Sequence, residues 1–143
     1  MPHRPLLGPV VALVAWTLFM LFWLAIVRGL AARRAGISLT ARRGGRGQQL
    51  EGVLPDQANW PAHNYTHLLE QPTIFYAIVF ALILMNFDAA INVWLAWGYV
   101  AFRVLHSLVQ ATFNDVRIRF PLFALSTLCL ISLTVHAALR LWH

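Results

Sequence analysis

Residues 63–87 read HNYTHLLEQPTIFYAIVFALILMNF, and this stretch decides the fold. From Pro72 on it is almost unbroken apolar sequence, yet Glu70 stands at its entrance. A run of this length crosses a hydrocarbon layer of ~30 Å only as a helix, because every backbone group must be paired within the segment. Three further apolar runs have similar length. They extend from about Leu6 to Val27, from about Ala89 to Thr112 and from Phe120 to Trp142. The expectation is one all-α transmembrane domain spanning residues 1–143. Its helices cover about 6–28, 63–87, 89–112 and 120–142, with a polar loop over 29–61.

Composition supports the same class. Of 143 residues, 59% are hydrophobic and only 11% are charged, with a mean hydropathy of +0.64. A soluble domain carries roughly 25% charged residues, so the deficit points to an integral membrane protein. All eleven basic residues are arginine. Without lysine, Schiff-base chemistry and a Walker-type phosphate loop are excluded. Cys129 is the sole cysteine, which rules out an internal disulfide and a Cys-x-x-Cys pair. The first apolar run is too long for a signal peptide, and Arg28 ends it as a stop-transfer flank does.

The connections carry unequal charge. The 29–61 loop contains Arg33, Arg34, Arg42, Arg43 and Arg46, with Gly44, Gly45 and Gly47 loosening its middle. The 86–92 turn has Asp88 and no basic residue. The 113–119 connection carries Arg117 and Arg119, and Pro121 suits the first turn of the last helix. Counting arginines places the first and third connections in the cytoplasm and both termini on the opposite side. Trp60, Trp94 and Trp142 fall where interfacial belts occur. The short termini favour a bacterial inner membrane.

Polar residues concentrate on two helical stripes. His63, His67 and Glu70 are spaced i, i+4, i+7 on the second helix. Tyr99, Arg103, His106, Gln110 and Asn114 continue the same spacing along the third. Glu70 lies roughly 10 Å inside the arginine-rich end and Arg103 roughly 13 Å, at helical rise. A charge at that depth is costly, so an ion pair between the two is expected, founding a polar pocket with Arg117 and Arg119 at its mouth. Two plainer readings compete. Such residues also serve as packing contacts between transmembrane helices, and His63, His67 and Glu70 could present two imidazoles and a carboxylate to a metal ion. Ser126, Cys129, Ser132, Thr134 and His136 on the last helix read as packing residues.

The segment from His63 to Pro72, followed by Phe75 and Tyr76, resembles the second helix of the MAPEG family, membrane-associated proteins in eicosanoid and glutathione metabolism. The Tyr99 to Ser107 segment resembles its third helix, with Asn114, Arg117 and Arg119 behind it. The likeness covers all four helices in order and length, and implies a four-helix bundle assembling as a homotrimer. It implies glutathione bound near the cytosolic side and a transferase or peroxidase acting on lipophilic electrophiles. In that reading Arg117 or Arg119 stabilises the thiolate, since an adjacent cation lowers a thiol pKa. Glu70 and Arg103 hold the cysteinylglycine part, with His106, Asn114, His67, His63, Gln110 and Tyr99 around it. Glutathione-using members tend to carry arginine, asparagine and tyrosine where this chain has His63, His67 and Gln110. A second reading on the same fold is a non-catalytic membrane protein that binds a lipid or a partner.

Overall fold

The computed structural model describes residues 4–41 and 43–142, so Arg42 of the expected basic loop lies outside the described residues. Four helices follow one another: α1 Leu7–Arg34, α2 Asp56–Leu84, α3 Ala90–Thr112 and α4 Val116–Trp142. One 3-10 turn, Gly47–Leu50, sits in the first connection. The helices differ from the expected bounds in a consistent way. α1 runs on to Arg34 and α2 starts at Asp56, reading through both Pro61 and Pro72. The connection therefore shortens to 35–55. α4 begins at Val116, so Arg117 and Arg119 occupy its first turn and not a loop.

Three of the four helices, α1, α2 and α4, are long and apolar enough to cross a membrane. α3 spans 23 residues, about 35 Å at helical rise, but its composition is more polar. The reason is its buried face. Asn92, Ala96, Tyr99, Arg103, His106 and Gln110 alternate at four- and three-residue spacing, and all are buried. α3 is thus the helix that carries polar side chains into the bundle, on the stripe through Tyr99, Arg103, His106 and Gln110 that the spacing predicts. α1 is the opposite case: Val11, Leu18, Phe22 and Ile26 are exposed, as lipid-facing residues are.

α2 and α3 form the central pair, with α1 packed across both on one side and α4 on the other. The main apolar core runs through Leu13, Met20, Phe75, Val79, Leu82, Tyr99 and Leu133. Phe75 and Tyr99 stack face to face at 4.2 Å between centroids. The short turns are set by asparagine. Asn86 has φ of 53° and Asn114 of 51°, left-handed conformations that asparagine tolerates better than other side chains. After α2, Asn86 N–H donates to the Ile83 carbonyl and Phe87 N–H to that of Leu82, a Schellman ending. Arg4 reaches across to Asp88 at 3.4 Å and Asn86 at 2.7 Å. That contact places the N-terminal segment and the α2–α3 turn at one end of the bundle. Exposed Trp94 and Trp142 lie at this same end.

Polar contacts cross the bundle as layers. Ser107 Oγ accepts from Trp16 Nε1 at 3.0 Å and from Asn64 Nδ2 at 2.5 Å, tying α1, α2 and α3 together. His136 Nδ1 lies 2.7 Å from Asn92 Oδ1, joining α4 to α3. Ser126, Ser132 and Thr134 bond back to carbonyls of their own helix, as packing residues do. Replacing Ser107 with alanine orphans two donors inside the bundle. We expect Ser107→Ala to cost about 1–2 kcal/mol, read as a lowered thermal midpoint in detergent. An unchanged midpoint would show that the layer is dispensable.

Candidate binding cleft at Arg103

Arg103 is the centre of the site. It projects from the buried face of α3, and the residue is only 2% exposed. Its guanidinium carbon lies 5.9 Å from the Tyr99 ring centroid and 5.5 Å from that of Phe123. Nη2 donates to the His67 carbonyl at 3.3 Å, which fixes the cation against α2. Nε and Nη1 are buried and have no hydrogen-bond partner. Two donor atoms of a permanent cation thus have no protein partner, a costly arrangement unless water or a ligand reaches them.

Arg103 is also one wall of a cleft of about 440 Å³ between α2 and α4, lined by His67, Glu70, Gln71, Ile74, Arg103 and Phe123. The expected Glu70–Arg103 ion pair does not form. Among the described residues, the carboxylates in ion pairs are Asp88 and Glu51 only. The cause is directional: Arg103 turns inward between two aromatic rings, while Glu70 stands on the exposed outer face of α2. The two charges nevertheless share the cleft. Its floor is held by Gln71, which accepts from the Tyr99 hydroxyl at 3.3 Å and donates to Thr127 Oγ1 at 3.1 Å. α2, α3 and α4 are thereby locked at one level.

The other expected site residues do not all reach the cleft. His67 lines the cleft, and the buried His106 ring sits behind it, 6.2 Å from the His67 centroid and 6.1 Å from that of Phe123. Gln110 is buried one turn beyond His106, with Oε1 unpartnered, and does not line the cleft. Asn114 ends α3 and accepts from Arg119 Nη1 at 2.6 Å. Arg119 is half-buried and within electrostatic reach of His67 and His106. Arg117 is exposed, with its backbone N–H capped by Asp115 at 2.8 Å, and it lies away from the cleft lining.

His63 belongs elsewhere. Its Nε2 lies 2.7 Å from Glu51 Oε1, so the imidazole is drawn to the first connection and away from Arg103. The metal-ligand arrangement of His63, His67 and Glu70 is not assembled. No group of three His, Cys, Asp or Glu side chains converges on a possible ion site among the described residues.

Gln71, Ile74 and Phe123 were not singled out from sequence. Gln71 and Ile74 continue the His67 stripe at i+4 and i+7, a signal that was present. Phe123 offered none, being one apolar residue among many. A family model for the MAPEG family matches residues 6–139, nearly the full chain. The chain belongs to the MAPEG family. No curated protein and no solved structure matches it. Within this MAPEG bundle the matched span contains both polar stripes and the cleft between them.

Whether Arg103 serves the fold or a ligand is open to a direct measurement. A buried cation without a counter-ion carries a desolvation cost that an apolar side chain of similar volume does not. We expect Arg103→Met to hold or raise the thermal midpoint of the purified protein. A fall matching that of Ser107→Ala would assign the arginine to packing.

Proposed function

We propose that the Arg103 cleft binds glutathione and that the protein is a membrane glutathione transferase or peroxidase acting on lipophilic electrophiles. The observation that carries this reading is a cleft lined by both Arg103, two of whose donor atoms have no protein partner, and the Glu70 carboxylate. The residues present fit the group. Arg103 offers two N–H donors to a carboxylate, and Glu70 can accept from an amide N–H or an ammonium, which together suit the cysteinylglycine part. His67 borders the same space, and the His106 ring sits behind it.

Glutathione, when bound, supplies a thiol whose deprotonated sulfur forms the new bond to the electrophile. The chain's part is to hold that sulfur as a thiolate and release the proton to water. Arg119 is better placed than Arg117 for this, because it is half-buried and near His67 and His106. A nearby guanidinium raises the thiolate fraction at neutral pH. The greasy co-substrate has its own entry at Ile74, which lines the cleft and is 57% exposed. Such a cleft admits a soluble peptide from one direction and an apolar molecule from the hydrocarbon.

Assembly as a homotrimer, with the arginine-rich end in the cytoplasm, belongs to the same proposal. Its support is the exposed position of Glu70 beside apolar side chains, where a neighbouring subunit would shield it. A second reading, binding of a lipid or partner without turnover, draws on one specific contact. Asn114 already occupies Arg119 at 2.6 Å, and Arg117 points to solvent.

Calorimetry of the detergent-purified protein with glutathione separates these readings. We expect binding at millimolar ligand or better, lost in Arg103→Met. Turnover of an activated aryl halide should fall about a hundredfold in Arg119→Ala, the scale of a removed anion-stabilising donor, and little in Arg117→Ala. Absence of heat at millimolar glutathione rejects the first reading. Binding without thiol-dependent turnover supports the second.

A further inference from the structure

A second polar cleft lies on the other flank of α2, between α1, α2 and the 3-10 turn. It encloses about 420 Å³, and Arg28, Arg46, Gly47, Glu51, His63 and Tyr65 are among its lining residues. Arg28 projects from α1 with its side chain 14% exposed. Nη2 donates to Asn59 Oδ1 at 3.0 Å and lies 3.8 Å from Glu51 Oε1, whereas Nε is buried and has no partner. The backbone of Gly47 closes directly on this guanidinium: a Cβ there would come within 2.7 Å of Nη1. Arg46 is exposed at the rim.

Charge and depth together define what this cleft can take. Two guanidiniums face one carboxylate, so, His63 aside, the lining carries one unit of positive charge beyond its own counter-ion. Arg28 stands about 32 Å along α1 from its first residue at helical rise, which is one hydrocarbon thickness. The cleft therefore sits at the level of lipid head groups. Below it, α1 exposes Leu18, Phe22 and Ile26 to the hydrocarbon, and Leu24 closes the lower edge of the cleft. Tyr65 adds an amphipathic ring of the kind that settles at this boundary.

We propose that this cleft is a specific site for the phosphate of an anionic membrane lipid. Arginine matches phosphate in geometry and stays charged, and the single surplus charge suits a phosphodiester head group such as that of phosphatidylglycerol. Arg28 and Arg46 supply the donors, and Asn59 and Glu51 keep Arg28 in place. The acyl chains lie along the exposed face of α1. The bound lipid bridges α1 to the first connection and steadies the start of α2. Nothing in this assignment depends on glutathione binding in the other cleft.

Full-length protein, delipidated in mild detergent, provides the test. Phosphatidylglycerol and phosphatidylcholine are titrated separately, with retention read by native mass spectrometry and stability by thermal midpoint. We expect phosphatidylglycerol to be retained at one per protomer, to raise the midpoint, and to bind more weakly as salt increases. Phosphatidylcholine should do neither. Arg46→Gln, at an exposed position that cannot harm the core, should weaken phosphatidylglycerol binding about fivefold. Arg140→Gln, at the opposite end of the bundle, should not. Arg28→Gln should weaken it further if the variant folds. Equal retention of the two lipids, or an Arg46→Gln protein indistinguishable from wild type, overturns the proposal. Full displacement by millimolar inorganic phosphate, with the same gain in midpoint, overturns the lipid assignment in favour of a soluble phosphate.

Discussion

A guanidinium closed into an apolar bundle is the constraint around which the rest is arranged. Arg103 cannot shed its proton, so its charge must be accommodated. The structure does so with ring faces and one carbonyl, and not with a counter-ion. Tyr99 and Phe123 flank the cation, and the His67 carbonyl accepts one of its donors. Ring faces offer attraction without a second desolvation cost. The remaining donors have no protein partner, and the residue shares a cleft with the Glu70 carboxylate. A fully neutralised Arg103–Glu70 pair would have been cheaper and chemically inert.

The choice of α3 as the polar helix follows from where it packs. It touches α1, α2 and α4, so a side chain on its buried face meets protein, not lipid. Asn92, Ser107 and Arg103 each find a partner on a different neighbour. The outer helices keep their apolar residues for the hydrocarbon. α2 mediates between the two regimes. Pro72 cannot donate to the Leu68 carbonyl, and its ring crowds that turn of the helix. The His67 carbonyl, one residue earlier, is the one that receives Arg103. A glutamate two residues before a proline thus marks a stretch where the helix backbone itself takes part in the site.

Much of this was legible in the residues. Apolar length gave the number of helices and their order, because a membrane admits few alternatives to a helix. The 99, 103, 106, 110 spacing gave the buried face of α3, since only a helix repeats at that interval. Helix ends were harder. Pro61 read as a boundary, yet α2 carries it in its second turn, where it forgoes one backbone hydrogen bond, that to the Gln57 carbonyl. Side-chain direction was harder still. His63 and His67 share a stripe, but Glu51 draws the first away, and no spacing rule reports a partner that arrives from a distant loop. The missing Glu70–Arg103 pair has the same origin: equal depth does not imply facing directions, and the ring of Phe123 exerted a pull that charge counting ignores.

The two clefts share one structural part, the stretch of α2 between Asn59 and Gln71. Asn59 and His63 face the α1 side, where Arg28 and Glu51 hold them. His67, Glu70 and Gln71 face the α4 side, where Arg103 and Thr127 hold the helix. Asn64, between the two sets, is anchored to Ser107. The stretch is therefore gripped from α1, α3 and α4 at successive turns, and a shift at one grip must be borne by the others, because a helix does not stretch. Arg28 and Arg103 each leave buried donors unsatisfied at opposite flanks of the same short rod.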